Sequence, residues 1–510
     1  MEKKRETVVL YPGVGVGHLA PMLELATALL RHGAGDAFHV AVALVEPPVT
    51  DPGFLAAVAR AKATHTSVAF PVLPPPEAAV AGSGSSTGEL DMATRLRFLR
   101  AMNAPLRDFL RSSLSVRALV LDMFCGDALD VAAELRIPAY FFFASGGTGL
   151  AVFLGLPALH AGLGDAGFGG LGDAAVLSSF PGAPAFRVAD LPADIASDGD
   201  GDGEACAGML RMAARMPEAR GILVNTFASL EPRAVKALRA GLCVPAGVGA
   251  GATPPVYCVG PLVSPGGGGE DHGGCLRWLD AQPDRSVVFL CFGSMGGAFF
   301  SATQLRELAA GLERSGQRFL WVVPRRPRGL SGGALADGDD DFAGVLPEGF
   351  LDRTKNRGLV VASWAPQAAV LRHRAAGAFV THCGWNSALE GVAAGLPLLC
   401  WPLYAEQRLN KVWVVHEMRL GVEMVKTKTT RRSCVDGAEE EEDDGVVSAA
   451  EVEKKVRWVM ESDDDGARAL RARVAAARDA AAGALAEGGS SRADFVEFVR
   501  DLENCKCVHG

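Results

Sequence analysis

Short apolar runs recur along the whole chain, and each is followed by a turn and then by apolar residues at helical spacing. Strands that alternate with helices form parallel sheets, because a parallel pair needs a crossover connection and the helices cover both faces. The pattern therefore predicts an α/β protein. The expected strands fall into two series, the first at residues 7–11, 38–44, 67–72, 118–121, 139–143 and 222–225, and the second at 256–259, 286–292, 319–323, 359–363, 378–381 and 398–401.

A stretch dense in Gly and Pro separates the two series and predicts a domain linker. A chain of 510 residues is also too long for one ordinary domain. Near the end, Phe495, Phe498, Val499 and Leu502 recur at helical spacing, so the last helix should bury one face. We expect an N-terminal domain at 1–244, a linker at 245–274, a C-terminal domain at 275–485, and a final helix within 486–510 that packs back on the N-terminal domain.

Charge and cysteine usage exclude several classes of function. With 50 Lys and Arg against 59 Asp and Glu, the net charge of −9 repels nucleic acid phosphates and anionic lipids. The eleven cysteines are mostly scattered singly, which argues against a disulfide framework and favours a reducing compartment. We expect a cytosolic protein, compatible with peripheral association at the endoplasmic reticulum, that binds no nucleic acid and is a monomer.

Two segments could be mistaken for membrane or targeting signals. The apolar run before Pro12 is too short for the core of a signal peptide. Residues 137–159 carry no charge and are long enough to span a membrane. However, Pro138, an aromatic run and a glycine-rich turn within that stretch predict a buried strand, a turn and a buried helix instead. We therefore expect no integral membrane segment.

The first predicted strand leads into a glycine-rich turn that contains His18. Counted from Gly13, the dinucleotide-binding fingerprint requires glycine at position 18, so that fingerprint fails. His18 lies instead at the carboxyl edge of a parallel sheet, where ligands of α/β proteins bind. Asp122 ends the fourth strand at the same edge and could hold the imidazole of a histidine. The alternative for both residues is a helix cap.

Two acidic runs suggest metal sites but do not satisfy the requirements. Residues 198–203 begin like a calcium loop, yet the twelfth position is Met209 where a bidentate Glu is needed. Asp337-Gly-Asp339 could imitate a paired-carboxylate motif, but it lies in a Gly- and Asp-rich loop with no strand before it. We expect no metal site.

The most specific segment runs from Trp364 to Gln407 and resembles, without a gap, the plant secondary-product box of the family 1 UDP-sugar glycosyltransferases. The resemblance extends over nearly the whole chain. It rests on Trp364-Ala-Pro-Gln367, His382-Cys-Gly-Trp-Asn-Ser387, Glu390-Gly391 and Glu406-Gln407 in the box, and on Gly17-His18, Asp122, Phe292-Gly-Ser294 and Gly488-Gly-Ser-Ser491 outside it.

This resemblance implies two facing Rossmann-like domains of the GT-B type, with the active site in the cleft between them. It also implies that His18 is the general base that deprotonates an acceptor hydroxyl and that Asp122 orients it. Attack on an α-linked UDP-sugar would give a β-linked product. No cofactor or metal ion is expected, because a helix N-terminus can receive the departing pyrophosphate.

The box residues also have physical roles toward a UDP-sugar donor. Trp364 can stack on uracil, while the Ala365 backbone and Gln367 can bond the base edge or the ribose. Glu390 can accept both ribose hydroxyls. As isolated residues, most of these would be ordinary caps or core. The residues expected at the pyrophosphate are Ser294, His382, Asn386 and Ser387, and those expected at the hexose are Trp385, Glu406 and Gln407.

The sequence constrains the identity of the acceptor and of the sugar less than it constrains the type of reaction. Phe124, Phe142 and Phe143 lie near the carboxyl ends of first-half strands and could line a slot for a flat phenolic acceptor such as a flavonoid or anthocyanidin, or could equally be sheet core. Within the family, Gln407 and Trp385 favour UDP-glucose over UDP-galactose and UDP-glucuronate.

Two other functions fit the same architecture. A nucleotide-sugar-binding regulator without activity would be expected to lack His18 or Asp122, yet both are present. An NAD-dependent enzyme is disfavoured by the failed glycine fingerprint.

Overall fold

A computed structural model describes residues 6–31, 38–47, 52–76, 91–112, 115–196, 203–244, 253–264, 271–293, 299–323, 342, 345–362, 364–425 and 445–505. The chain divides into two compact units. The first comprises Met1–Val188, Ala193–Leu262 and Gly483–Gly510, and the second comprises Ala189–Pro192 and Val263–Ala482.

A parallel sheet forms the centre of the first unit. The described strands of this unit are β1 (Glu6–Tyr11), β2 (Phe38–Val42), β3 (Leu44–Val45), β4 (Val68–Ala69), β5 (Val72–Leu73), β6 (Val116–Asp122), β7 (Ala139–Phe143), β8 (Val176–Leu177), β9 (Phe186–Arg187), β10 (Gly221–Val224) and β11 (Val256–Cys258). Seven of them form the sheet in the order β11-β10-β7-β6-β1-β2-β4, and every pair in it is parallel. All five residues of β7 are buried, because helices cover both faces of the sheet.

Helices follow most of these strands. They are α1 (Val16–Arg31), α2 (Pro52–Thr64), α3 (Met92–Ala101), α4 (Asn103–Ser112), α5 (Leu129–Glu134), α6 (Gly147–Leu163), α7 (Ala193–Ala196), α8 (Glu204–Arg215) and α9 (Pro232–Arg239). The side chain of Asp91 starts α3 by accepting a hydrogen bond from the N–H of Thr94, as expected of an N-cap residue.

The second unit repeats the same plan with a six-stranded parallel sheet. Its strands are β12 (Val287–Cys291), β13 (Arg318–Val323), β14 (Gly358–Ala362), β15 (Ala376–Thr381), β16 (Leu398–Cys400) and β17 (Gly421–Glu423). They are ordered β14-β13-β12-β15-β16-β17. Its helices are α10 (Cys275–Asp280), α11 (Ala302–Ser315), α12 (Phe350–Thr354), α13 (Gln367–Arg372), α14 (Trp385–Ala394), α15 (Gln407–Val412), a π-helical turn (Trp413–Glu417), α16 (Ala449–Glu461) and α17 (Asp465–Leu485). The predicted α/β class with two Rossmann-like domains is confirmed.

The predicted placement of one strand was wrong. Residues 256–259 were expected to open the second series, but β11 pairs with β10 at the edge of the first sheet. The first unit therefore extends to Leu262, well into the segment expected to be linker. The buried side chain of Asn225 holds this end, because its Oδ1 accepts a hydrogen bond of 2.8 Å from the N–H of Leu262. The short strand β17 was not predicted.

The last helix, α18 (Ser490–Asn504), belongs to the first unit. Its four apolar residues named above are all buried, as their spacing predicted. The ring of Phe498 packs edge-on against Tyr140 of β7 at 5.1 Å. The carboxylate of Asp494 accepts a hydrogen bond of 2.7 Å from the N–H of Cys258 in β11. The helix thus completes one face of the first sheet.

Among the described residues, one helical stretch, Gly147–Ala166, is apolar and long enough to cross a membrane, and half of it is buried in the protein. It contains α6, which follows β7 after a turn, in the order that we predicted. The buried carboxylate of Glu231 accepts hydrogen bonds from the N–H groups of Gly147 at 2.7 Å and Thr148 at 2.8 Å. The first turn of this helix is therefore capped by protein groups, as in a core helix.

Candidate active site

His18 and Asp122 meet at the carboxyl edge of the first sheet. Strands β1 and β6 are parallel neighbours, so the first turn of α1, after β1, lies beside the last residue of β6. Nδ1 of His18 lies 2.8 Å from Oδ2 of Asp122. The Asp122 side chain is fully buried, whereas that of His18 is 19% exposed. The fold therefore brings together two residues that sequence spacing alone could not pair.

The second carboxylate oxygen of Asp122 is also occupied. Oδ1 accepts a hydrogen bond of 3.0 Å from the N–H of Phe124, so the residue is both a local cap and the partner of His18. With both oxygens bonded, the carboxylate cannot rotate without losing a partner. It fixes the proton of neutral His18 on Nδ1 and leaves Nε2 to accept one.

Gly13 makes room for this pair. A Cβ atom at this position would lie 2.9 Å from Oδ1 of Asp122 and 3.5 Å from Cγ of His18. The first distance is shorter than ordinary contacts allow, so a side chain would displace the carboxylate. Gly13 was not predicted as a site residue, although its position in the turn that follows β1 was a usable signal.

The three phenylalanines expected at the acceptor have different environments. The ring of Phe124 lies 5.0 Å from that of His18 and is partly exposed. Phe142 is fully buried in the core cluster beneath α1 and α18, so its assignment to the acceptor is wrong. Phe143 is also buried and packs against Phe153 at 5.9 Å between ring centres. Of these three residues, Phe124 is the one whose ring is shown beside that of His18.

In the second unit, Trp364 follows β14 and precedes α13. Its side chain is 40% exposed, which is unusual for Trp and suits a ring that stacks on a ligand. The neighbouring Ala365 is buried, and its carbonyl accepts a hydrogen bond of 2.8 Å from the N–H of Gln367. The two residues therefore have different roles, since only the indole faces solvent.

Gln367 connects two further predicted donor residues. Its Nε2 donates to Oγ of Ser387 at 3.0 Å and to Oε2 of Glu390 at 2.7 Å. Burial raises the pKa of Glu390 above its ordinary value, while Gln367 and Arg372 oppose the rise. Gln367, at the start of α13, thus contacts both Ser387 and Glu390 in the first turns of α14, and their binding of ribose and phosphate stays a prediction.

Three of the four residues predicted at the pyrophosphate lie at or just before the start of α14. His382 follows β15 and is 7% exposed, and Trp385 is buried at the first position of the helix. Burial lowers the pKa of His382 to about 4, so its ring is neutral near pH 7. Asn386 is partly exposed in the same first turn. Ser294 lies outside the described residues.

The last two residues of the box, Glu406 and Gln407, have side chains held by hydrogen bonds. Gln407 is 3% exposed, and its Oε1 accepts hydrogen bonds from the N–H groups of Leu403 at 2.9 Å and Tyr404 at 3.1 Å. Its Nε2 is therefore the atom that remains to contact a ligand. Glu406 is partly exposed, and its Oε1 lies 3.4 Å from Nδ2 of Asn410.

Asn410 was not predicted from the sequence. It is 1% exposed on α15, and its Nδ2 also donates to the carbonyl of Cys383 at 3.0 Å. Cys383 has a left-handed backbone, with φ of 67°, that non-glycine residues rarely adopt. Asn410 therefore ties the strained turn before α14 to Glu406. Its spacing from Glu406 places both on one helix face, which was the available signal.

Within the described residues, no group of three or more His, Cys, Asp or Glu side chains is arranged to hold a metal ion. The Asp337-Gly-Asp339 run and residues 198–202 of the calcium-like segment lie outside those residues.

Comparison with known proteins identifies the family of this chain. Residues 271–435 match the family model for UDP-glucoronosyl and UDP-glucosyl transferase. The chain is 39% identical to the phloretin 2'-O-glucosyltransferase of Pyrus communis, across 98% of this chain and 99% of that protein. The chain belongs to the plant family 1 UDP-glycosyltransferases.

Other members of this glycosyltransferase family show the same relationship. The anthocyanidin 5,3-O-glucosyltransferase of a Rosa hybrid cultivar is 38% identical, across 97% of this chain and 98% of that one. The structure of Phytolacca americana UGT2, complexed with UDP-2fluoro-glucose and pterostilbene, is 33% identical, with a TM-score of 0.78 over 98% of this chain and 100% of that one. The predicted family and enzyme class are confirmed.

Proposed function

We propose that this enzyme transfers glucose from UDP-glucose to a hydroxyl of a flavonoid, an anthocyanidin or a related phenolic, with inversion at the anomeric carbon. The observation that carries the proposal is the 2.8 Å hydrogen bond between His18 and Asp122, which prepares a general base. The substrate class is supported by the relatives named for phloretin and anthocyanidin and by the neighbour bound to pterostilbene.

In the proposed reaction, Nε2 of His18 removes the proton of the acceptor hydroxyl as its oxygen attacks the anomeric carbon. The bond from that carbon to the diphosphate breaks with its electron pair on the departing oxygen, and UDP leaves. The charge that develops on the imidazole is stabilised by the buried carboxylate of Asp122. Attack opposite the leaving group converts an α-linked donor into a β-linked product.

The second unit would hold the donor. Trp364 stacks on uracil, the Ala365 backbone and Gln367 bond the base edge or ribose, and Glu390 accepts the ribose hydroxyls. The helix α14 has ten residues, and the dipole of a helix of this length gives its N-terminus a partial positive charge. With His382, Asn386, Ser387 and Ser294, this helix end would neutralise the departing diphosphate without a metal ion.

The hexose would be recognised by Trp385, Glu406 and Gln407. Because the N–H groups of Leu403 and Tyr404 occupy Oε1 of Gln407, its amide can only donate to the sugar. Glu406 offers carboxylate oxygens as acceptors. A hydrogen-bond donor and a hydrogen-bond acceptor side by side suit neighbouring hydroxyls of a hexose. We propose UDP-glucose as the preferred sugar substrate over UDP-galactose, with UDP-glucuronate third.

The acceptor would lie against Phe124, whose ring is near that of His18. An edge or face contact with a flat phenolic ring is the geometry that aromatic pairs prefer. We also propose that the enzyme acts as a monomer in the cytosol, which sedimentation of the purified protein and fractionation of cells would test.

The experiment combines one variant with a substrate panel. Flavonoids, anthocyanidins and simple phenols are incubated with UDP-glucose, UDP-galactose or UDP-glucuronate, and products are identified by mass spectrometry. His18→Ala should lower turnover by about 10²–10⁴-fold, the range assigned to general acid–base catalysis, because the base is lost. It should retain thermal stabilisation by UDP, since the donor residues lie in the other unit.

Near-normal turnover of His18→Ala would contradict the assigned base. UDP-induced stabilisation without any transfer by the unaltered protein would instead favour the inactive regulator. Stabilisation by NAD rather than UDP would favour the dinucleotide enzyme.

A further inference from the structure

Two aromatic rings stack at the surface of the second unit, and one of them belongs to the turn that precedes Gln407. The ring of Phe299 lies 4.7 Å from that of Tyr404, with 11° between the ring planes. Phe299 is 39% exposed and Tyr404 is partly exposed, so this pair lies outside the core. A separation of this size between nearly parallel rings is within the range that stabilises an aromatic pair.

The core anchors both segments that carry these rings. Phe300 is 1% exposed, and its ring lies 4.6 Å from that of Phe292 and 5.7 Å from that of Trp401. The N–H of Trp401, three residues before Tyr404, donates a hydrogen bond of 2.8 Å to the carbonyl of Thr381. The stack therefore joins two segments at the point where each of them leaves the core.

Tyr404 is bonded to Gln407 in both directions. Its N–H donates a hydrogen bond of 3.1 Å to Oε1 of Gln407, and its carbonyl accepts one of 3.3 Å from the N–H of Gln407. Between them, Ala405 has φ of 51°, a left-handed conformation that is costly for a residue with a Cβ atom. Such a conformation persists only where neighbouring contacts hold it. The position of the Gln407 amide therefore depends on the contacts that fix Tyr404.

We propose that Phe299 is a positioning residue for the sugar of the donor. By stacking on Tyr404, its ring holds the turn at Ala405 and keeps Nε2 of Gln407 in place to donate to a hexose hydroxyl. This inference rests on the proposed function, in which Gln407 recognises the hexose. A hydrogen bond weakens steeply when its donor moves or tilts, so the ring affects the rate of transfer without touching the substrate.

Truncation of Phe299 tests the proposal in the full-length protein, with a phenolic acceptor from the panel described above. Phe299→Ala should lower kcat/KM for UDP-glucose about 3–10-fold, the factor that corresponds to one stacked aromatic pair. The affinity for UDP, measured by titration calorimetry, should not change, because UDP has no hexose. Phe299→Tyr keeps a ring that can stack and should recover most of the lost kcat/KM.

Leu351 provides a matched control in the same unit. It lies on α12 and is 43% exposed, close to the exposed fraction of Phe299. Leu351→Ala should leave kcat/KM unchanged. Thermal unfolding and circular dichroism establish that each variant is folded at the temperature of the assay.

A double-mutant cycle shows whether Phe299 acts through Gln407. Gln407→Glu keeps an acceptor for the N–H of Tyr404 but cannot donate to the hexose, so no donor is left for Phe299 to position. Phe299→Ala should therefore lower kcat/KM much less in the Gln407→Glu background than in the unaltered protein. A ring that contacts a ligand directly, or that only stabilises the fold, would give the same loss in both backgrounds.

Equal losses in the two backgrounds would overturn the inference, and so would an unchanged kcat/KM in Phe299→Ala or a matching loss of UDP affinity. Each of these results would leave the proposed function intact. If Gln407→Glu alone keeps full kcat/KM, the proposed role of Gln407 fails, and this inference fails with it. If the unaltered protein transfers no sugar from UDP-glucose, the proposed function itself fails.

Discussion

Oε1 of Gln407 accepts a hydrogen bond of 2.9 Å from the N–H of Leu403, four residues earlier in the chain. This contact fixes which end of the amide faces the turn and which end is left for a ligand. A residue that could present either a donor or an acceptor to a sugar is therefore restricted to donating.

Gln407→Glu separates these two functions of the side chain. A carboxylate can still accept from the N–H groups of Leu403 and Tyr404, but it cannot donate to a hexose hydroxyl. We expect kcat/KM for UDP-glucose to fall about tenfold or more, as the loss of one buried hydrogen bond implies, with little change in Tm. Gln407→Ala should lower both kcat/KM and Tm. Unchanged kcat/KM in Gln407→Glu would show that Nε2 does not contact the sugar.

Asp122→Asn should lower turnover by about 10²-fold or more, within the range of acid–base catalysis. The two oxygens of Asp122 serve His18 and the N–H of Phe124, and an amide has only one oxygen. One partner must therefore meet an NH₂ group, and no negative charge remains to stabilise the imidazolium. The exposed Asp130, which pairs with Arg215, provides the control Asp130→Asn, and it should keep full turnover. Equal turnover by Asp122→Asn and Asp130→Asn would show that Asp122 is only a cap.

Activity should not depend on a divalent metal ion. The positive end of α14 and its polar side chains are available to the diphosphate, so we expect transfer to continue in EDTA. Initial rates are compared before chelation, after chelation, and after Mg²⁺ or Mn²⁺ is added back. A loss of activity that either ion restores would contradict this prediction.

Glu231→Gln should destabilise the first unit by about 1–3 kcal/mol, the cost of a buried donor left without its partner. The carboxylate of Glu231 serves two N–H groups of α6 and also accepts the hydroxyl of Thr226. A Gln side chain cannot accept from all three. Thermal unfolding measures the effect, and the exposed Glu218→Gln is the control. Identical Tm values for the two variants would show that the cap is dispensable.

The contact between Asp501 and Tyr140, at 2.6 Å, should make the stability of the last helix depend on pH. Burial raises the pKa of Asp501, but hydrogen bonds from Arg220 and Tyr140 outweigh it and hold the pKa below its ordinary value. A carboxyl with a lowered pKa in the folded state adds stability above its unfolded pKa, about 3.9, and that stability is lost as pH falls through the folded pKa.

Asp501→Asn should therefore lower Tm near neutral pH, and the difference from the unaltered protein should shrink below about pH 4, as the carboxyl protonates. The exposed Glu497→Gln on the same helix should change little at either pH. A Tm difference that is constant with pH would mean that Asp501 acts through packing and not through its charge.

The sequence predicted the strands well where apolar runs were long and buried on both sides, as in β1, β7 and β15. It predicted β11 as a strand but assigned it to the wrong sheet, because a short apolar run beside a Gly- and Pro-rich stretch does not indicate which strand it pairs with. The donor residues came from the motif. Their hydrogen bonds did not, because the contact of Gln367 with Glu390 depends on how the start of α13 packs against α14, 23 residues later in the chain. Phe142 was misassigned because strand position alone does not tell which face of a sheet a side chain covers.

The return of α18 to the first unit affects how the protein is made. Domains of most chains fold one after another as they leave the ribosome, with the N-terminal one first. Here, one face of the first sheet is covered by residues near the very end of the chain, among them Phe495 and Leu502. The apolar surface of the first sheet that α18 covers therefore stays exposed until the whole second unit has been translated.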